Sequence, residues 1–352
     1  MAPDSRFWRH QPGEATLRLW RVLPKAAFWF CALCALSFSN VEARTEPGKD
    51  SWSDVPTAVQ AIEKPSPGES LMLSSVSPSS TFFNSSPTGQ SSDRNQIHIP
   101  NHPSVQKYIR FYKGEGRATL MGALERSRRY LPIMSEILES YGVPAEMIHI
   151  VMVESCFKAQ VTCRGAGGYW QLLAGTARAM GLRVDRWVDE RRDPIKSTQA
   201  AAKYLRLYYR EYHSWPLVLA AYNAGGWPVS KALRKGNTSD FWELSRRGTM
   251  PAKTRTYVPK VLAAIQVARD LEAEGFMRPQ YSFHSEIEPI YVRSALSLED
   301  VAQWIDAPLS RLQDINPSLR LDKLPPDGGG FLNLPFGAKA KFDVAYQQYL
   351  RN

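Results

Sequence analysis

The run EMIHIVMVESCF, residues 146–157, closes an apolar segment with a carboxylate: Ile148, Ile150, Val151, Met152 and Val153 lead into Glu154, and Phe157 follows three residues later. A charge at the end of a buried segment is costly unless it is paired, hydrogen-bonded or kept protonated. Desolvation disfavours the charged form, so Glu154 is expected to hold a proton up to near-neutral pH. A carboxylic acid in that state can protonate a leaving group, which is the general-acid step of glycoside cleavage. A glutamate hydrogen-bonded to a neighbouring loop is the plainer reading of this residue taken alone.

The stretches that follow add polar and aromatic groups in a fixed order: TCRGAGGYWQLL, then AAYNAGGWPV, then TRTYVPKVLAA. Gly165, Gly167 and Gly168 permit a tight backbone path close to a ligand. Trp170, Tyr222 and Tyr257 offer ring faces apt for packing against sugars, and Gln171 and Asn223 supply amide donors and acceptors. Taken singly, each aromatic is more often core. Cys156 and Cys163 are close enough in sequence to close a small loop, and without a histidine at ligand spacing they make no metal site. No cofactor is implied.

These residues must be held by helices. Val105, Tyr108, Ile109 and Tyr112 fall at helical spacing, and Ile133, Ile137, Leu138 and Tyr141 do so again before Gly142. Pro144 suits the first turn of the next helix, which runs to about Ser155. Further helices fit 171–180, 197–212, 215–223 and 256–274, so residues 97–278 are expected to form a mainly α domain. Beyond it, 279–352 read as a small βααβ module: a strand at EPIYV, a helix with Leu298, Val301, Ala302 and Ile305 inward, a helix ending at Asn316-Pro317, and a returning strand in GGGFLNLPFG. Upstream, Arg18, Arg21 and Lys25 precede the apolar AAFWFCALCALSF and the small-residue VEA, which reads as a secretory signal over 1–43, with an uncleaved anchor as the alternative. Residues 44–96 are rich in Ser, Pro and Thr without apolar period, a composition expected to remain a disordered linker. The net charge of +10 over 352 residues favours a polyanionic partner. No basic groove motif with interleaved aromatics appears, and export opposes nucleic acid as that partner.

These stretches and their order, with DERRDP and STQAAAKYL between them, resemble the catalytic domain of the family 1 lytic transglycosylases, which has a goose-lysozyme-like α fold, and within that family most resemble the membrane-bound lytic murein transglycosylase D branch. The resemblance covers about residues 97–276. It implies that Glu154, of the Glu-Ser-x-Phe motif, is the single catalytic acid/base, and that Thr162, Gln171, Tyr222, Asn223 and Tyr257 contact substrate. Thr162 stands where a serine is usual, keeping the hydroxyl. The implied reaction is non-hydrolytic cleavage of the β-1,4 bond between N-acetylmuramic acid and N-acetylglucosamine in peptidoglycan, leaving a 1,6-anhydromuramoyl end. It also implies a periplasmic or cell-envelope location in a Gram-negative bacterium, with inner- or outer-membrane association as an option. The βααβ module resembles a degenerate LysM repeat, a glycan-binding fold, with the alternative that it only packs on the catalytic domain.

Some positions depart from the family pattern. Lys253 replaces a glutamate usual just before the Thr of the T-x-x-YV motif, and Gly226, Trp227 and Pro228 replace a GEGRV-like turn. Such changes point to a rival reading, a peptidoglycan-binding protein with weakened turnover. A second rival is a hydrolysing muramidase, which would need a second carboxylate. Asp185, Asp189 and Asp193 are expected instead to cap and brace helices.

Overall fold

The computed structural model describes residues 96–281, 287–327 and 329–351; the signal reading and residues 44–95 of the linker reading lie outside them. The described chain is mainly helical. Helix α1 (Pro103–Lys113) starts with proline in its first turn and with the Ser104 N–H donating to His102 Nδ1, and it buries Val105, Ile109 and Tyr112 along one face. Helices α2 (Arg117–Ser127) and α3 (Leu131–Ser140) follow. A single 3₁₀ turn, Ala145–Ile148, then leads into the short α4 (His149–Glu154). Ile150, Val151, Met152 and Val153 are all buried, as a helix apolar on every side must be.

After α4 the chain forms a three-stranded antiparallel sheet of two-residue strands: β1 (Thr162–Cys163), β2 (Ala166–Gly167) and β3 (Leu172–Leu173), with Thr162 opposite Gly167 and Gly167 opposite Leu172. Helix α5 (Ala174–Ala179) begins only after β3, so the helix expected over 171–180 loses its first turn to the sheet. Helix α6 (Pro194–Tyr212) is started by Asp193, whose carboxylate accepts from the Ile195 and Lys196 N–H groups at 2.9 and 2.8 Å. Ala200, Ala201 and Ala202 on its buried side allow neighbours to approach closely. Helices α7 (Trp215–Ala224), α8 (Gly226–Gly236), α9 (Phe241–Arg246) and α10 (Ala252–Arg269) complete this part. The last runs four residues earlier and ends five residues sooner than the 256–274 expected. It packs against α1, α4 and α7 and so forms one wall behind Glu154.

Residues from 287 onward build a second small core. Strands β4 (Ile287–Val292) and β5 (Gly330–Pro335) pair antiparallel, with Tyr291 opposite Phe331, and α11 (Leu298–Ile305) and α12 (Leu309–Ile315) lie between them in sequence. This is the βααβ order expected. A further helix, α13 (Lys339–Tyr349), was not expected; only Phe342 on it is fully buried, so its sequence carries little apolar period. Asn316 ties the module together: its amide nitrogen donates to the Leu312 and Asn333 carbonyls, its oxygen accepts from the Asn333 N–H at 2.8 Å, and the Asn333 amide donates to the Ile315 carbonyl.

Candidate active site

Glu154 is the last residue of α4, and burial pushes its carboxyl up to a pKa of about 7. Two groups oppose that shift: the Tyr257 hydroxyl, hydrogen-bonding to the charged form, and the nearby Lys260 ammonium. Among the described residues no second carboxylate acts on it. Tyr222 lies close enough for the carboxylate to raise the phenol further, above what burial alone does. A single acid, poised near neutrality and faced by two phenols and one ammonium, can give a proton and take one back at the same place.

The side chains around it are positioned by hydrogen bonds the sequence did not reveal. Ser155 Oγ donates to the Tyr169 carbonyl at 2.7 Å, tying the end of α4 to the glycine-rich turn. The Tyr222 hydroxyl donates to the Trp170 carbonyl at 2.6 Å. Asn223 accepts at Oδ1 from the buried Thr254 hydroxyl at 3.0 Å, which joins α7 to α10. Gln171 has a left-handed backbone, φ 49°, and its amide nitrogen donates to the Val161 and Gly168 carbonyls at 2.9 and 2.8 Å. Thr162 is exposed on β1.

Two expectations need correction. Trp170 is 0% exposed and donates from Nε1 to Thr198 Oγ1 at 2.9 Å, so its ring is core and cannot lie against a sugar. Tyr257 is 1% exposed, and what it presents is its hydroxyl toward Glu154, not a ring face. Sequence reading also passed over Lys260 and Thr254. Their spacing was the available signal: Thr254, Tyr257 and Lys260 stand three apart on α10, neighbours along one side of the helix.

The aspartates are structural. Asp185 accepts from the Trp187 and Val188 N–H groups at 2.7 and 2.8 Å, and Asp193 caps α6. Asp189, 1% exposed, is bonded through both oxygens to Arg191, which is 7% exposed. No disulfide joins Cys156 and Cys163. Among the described residues no group of His, Cys, Asp or Glu could hold a metal ion. A separate cleft of about 670 Å³ lies between α1 and the end of α10, and none of the predicted site residues lines it.

Residues 133–245 match the family model of the transglycosylase SLT domain. That segment is similar to the transglycosylase SLT domain. The family resemblance read from the motifs is borne out over that segment, which contains Glu154, Thr162, Gln171, Tyr222 and Asn223; Tyr257 lies beyond its end. The chain is 27% identical over 253 residues to the membrane-bound lytic murein transglycosylase D of Escherichia coli K12, covering 69% of this chain and 54% of that protein. The protein of the same name from E. coli O6:H1 matches equally. The chain therefore spans about half the length of the curated relatives it matches. Among solved structures, the lytic transglycosylase Slt of Pseudomonas aeruginosa, an inactive mutant, aligns with a TM-score of 0.35 and 23% identity over 43% of this chain and 25% of that one.

Proposed function

We propose that the protein is a peptidoglycan lytic transglycosylase in which Glu154 is the single acid/base. The observation that carries this reading is the half-buried Glu154 at the end of α4, its carboxyl desolvated and held protonated to about pH 7 with no second carboxylate acting on it among the described residues. Glu154 donates its proton to the glycosidic oxygen, and the bond from that oxygen to the muramoyl anomeric carbon breaks. The substrate's N-acetyl oxygen can stabilise the resulting cation. Glu154, now a carboxylate, takes the proton of the muramoyl C6 hydroxyl, whose oxygen bonds to the anomeric carbon and closes the 1,6-anhydro ring. Hydrolysis through a water or an enzyme nucleophile ordinarily uses two carboxylates. Here the substrate supplies the nucleophile.

Tyr222, Asn223, Gln171 and Thr162 are proposed to line the sugar path, with Tyr257 acting on Glu154 itself. The relatives' names, membrane-bound lytic murein transglycosylases, support an envelope location and peptidoglycan as partner. Among the described residues no helix is long and apolar enough to cross a membrane. The domain division proposed is a signal over 1–43, a linker over 44–96, the catalytic domain over 97–278 and a LysM-like module over 279–352.

The test is product chemistry. The full chain and a Glu154→Gln variant are incubated with purified sacculi, and the soluble fraction is read by mass spectrometry. Anhydromuropeptides from the native chain alone are the expected result. Reducing muramic acid ends would instead make it a hydrolase. Firm sacculus binding without release would favour the weakened binder to which Lys253, half-buried in the first turn of α10, points.

A further inference from the structure

The hairpin at 183–192 belongs to two cores at once. Val188 is buried in the C-terminal core with Val292, Leu312 and Leu332, and Trp187 packs against the same cluster. Backbone pairing holds the seam: the Asp189 N–H donates to the Ser318 carbonyl at 2.8 Å, the Arg320 N–H donates to the Trp187 carbonyl at 2.9 Å, and Val188 bridges Leu319. The Arg320 guanidinium donates to the Asp185 carbonyl at 3.0 Å. A module that only gripped the wall would need a tether, not a shared core and backbone bonds to a hairpin of its neighbour.

Three residues after Val188, the other side of the hairpin reaches the glycine-rich turn. Arg191 forks onto Asp189 at 2.8 Å through two nitrogens, and its remaining terminal nitrogen donates to the Gly165 and Leu172 carbonyls at 2.7 and 3.0 Å. The glycine-rich turn is moulded around this segment: a Cβ on Gly167 would lie 3.0 Å from the Arg191 guanidinium carbon, and one on Gly168 would lie 1.8 Å from the Arg191 carbonyl oxygen. The same turn supplies the Tyr169 carbonyl to Ser155 and the Trp170 carbonyl to Tyr222, the two bonds beside Glu154.

We propose that the C-terminal module is a positioning element of the candidate site: by seating the 183–192 hairpin it sets Arg191, and Arg191 holds the Gly165–Leu172 turn, whose Tyr169 carbonyl is bonded by Ser155 next to Glu154. Arg191 is a positioning residue, acting on the acid only through the turn. The inference rests on the reading of Glu154 as the acid for its effect on turnover, but its structural content stands apart from turnover.

Hydrogen exchange on the full-length chain separates the two. Arg320→Ala and the double variant Val188→Ser/Arg320→Ala loosen the seam from outside the candidate site, and Arg191→Lys keeps the charge but loses the fork. In the double variant and in Arg191→Lys, amides of residues 165–173 are expected to exchange about tenfold faster, while those in the middle of α10 keep their protection. Arg320→Ala alone, which removes one exposed side-chain bond and leaves the core intact, is expected to give about threefold. Release of soluble product from sacculi should fall with the same rank order, and more at about pH 7 than at about pH 5.5, because water admitted beside Glu154 lowers its pKa. Unchanged exchange at 165–173 in the seam variants, with faster exchange confined to the module, overturns the proposal. Should the native chain release no product, the catalytic reading fails while the exchange result still decides this one.

Discussion

The Glu154 carboxyl is poised by opposing forces, and each can be removed separately. Burial raises its pKa to about 7, against an ordinary value of 4.5, so between those two values the native state holds a proton that the unfolded chain has lost. Stability must therefore fall as pH rises through that window and level off above it, by up to about 3 kcal/mol. Glu154→Gln carries no such proton, so its melting temperature relative to the native chain should climb between about pH 4.5 and 7, as thermal denaturation across that range would read. A constant difference over the window would mean that the carboxyl is not desolvated. Tyr257→Phe takes away the hydroxyl bond that favours the charged form, leaving burial opposed only by Lys260. The alkaline limb of the activity profile should then move up by about one pH unit, with activity at about pH 5.5 little changed. A downward move would show that the hydroxyl instead serves the protonated acid.

At the scale of elements, the glycine-rich turn and the 183–192 hairpin explain why so small a sheet keeps its shape. Strands of two residues have almost no ladder to hold them; Arg191 supplies the bonds instead, its terminal nitrogen outside the fork reaching carbonyls on both sides of the turn. Gly168 has φ 75°, and a side chain there meets the Arg191 backbone, so Gly168→Ala combines strain with overlap and should destabilise the chain by about 3 kcal/mol or more. Asp189→Ala leaves the Arg191 guanidinium buried without its carboxylate and should cost about 3–5 kcal/mol. Denaturant titration measures both, and a loss under about 1 kcal/mol in either would mean that the turn reorganises around the change. These elements also mark what the sequence let us read. The long helices were legible because their apolar or small residues fall at helical spacing, though the first-turn proline of α6 was not read and its start at Pro194 lies three residues before the 197 expected. Glu154 stood out because α4 is apolar on every side. The sheet was not legible, since two-residue strands show no alternation, and Trp170 was misread because nothing in its neighbours told that Thr198, far along the chain, takes its indole N–H.

At the scale of the whole molecule, the question is whether the C-terminal module unfolds by itself. Its own closure depends on Asn316, buried and bonded at both ends of its amide to the backbone of Leu312 and Asn333. Asn316→Ala strands the Asn333 N–H and takes a donor from the Asn333 carbonyl, while the Leu312 carbonyl keeps the Asn316 backbone N–H, and should cost the module about 2–3 kcal/mol. An appendage joined only by a linker would then melt in a separate, earlier step, leaving the helices of residues 97–278 with their native transition. The seam argues otherwise: Val188 is part of the module's core, and Arg129, just after α2 in the helical domain, pairs with Asp314 on α12 at 2.8 Å. A small core that includes a hairpin of its neighbour cannot lose its packing without exposing that hairpin. The expected calorimetric trace for Asn316→Ala is thus one transition shifted to lower temperature, with near-ultraviolet dichroism from the tryptophans of the helical domain lost in the same step. Two resolved transitions, the upper one at the native temperature, would show that the module folds and fails on its own.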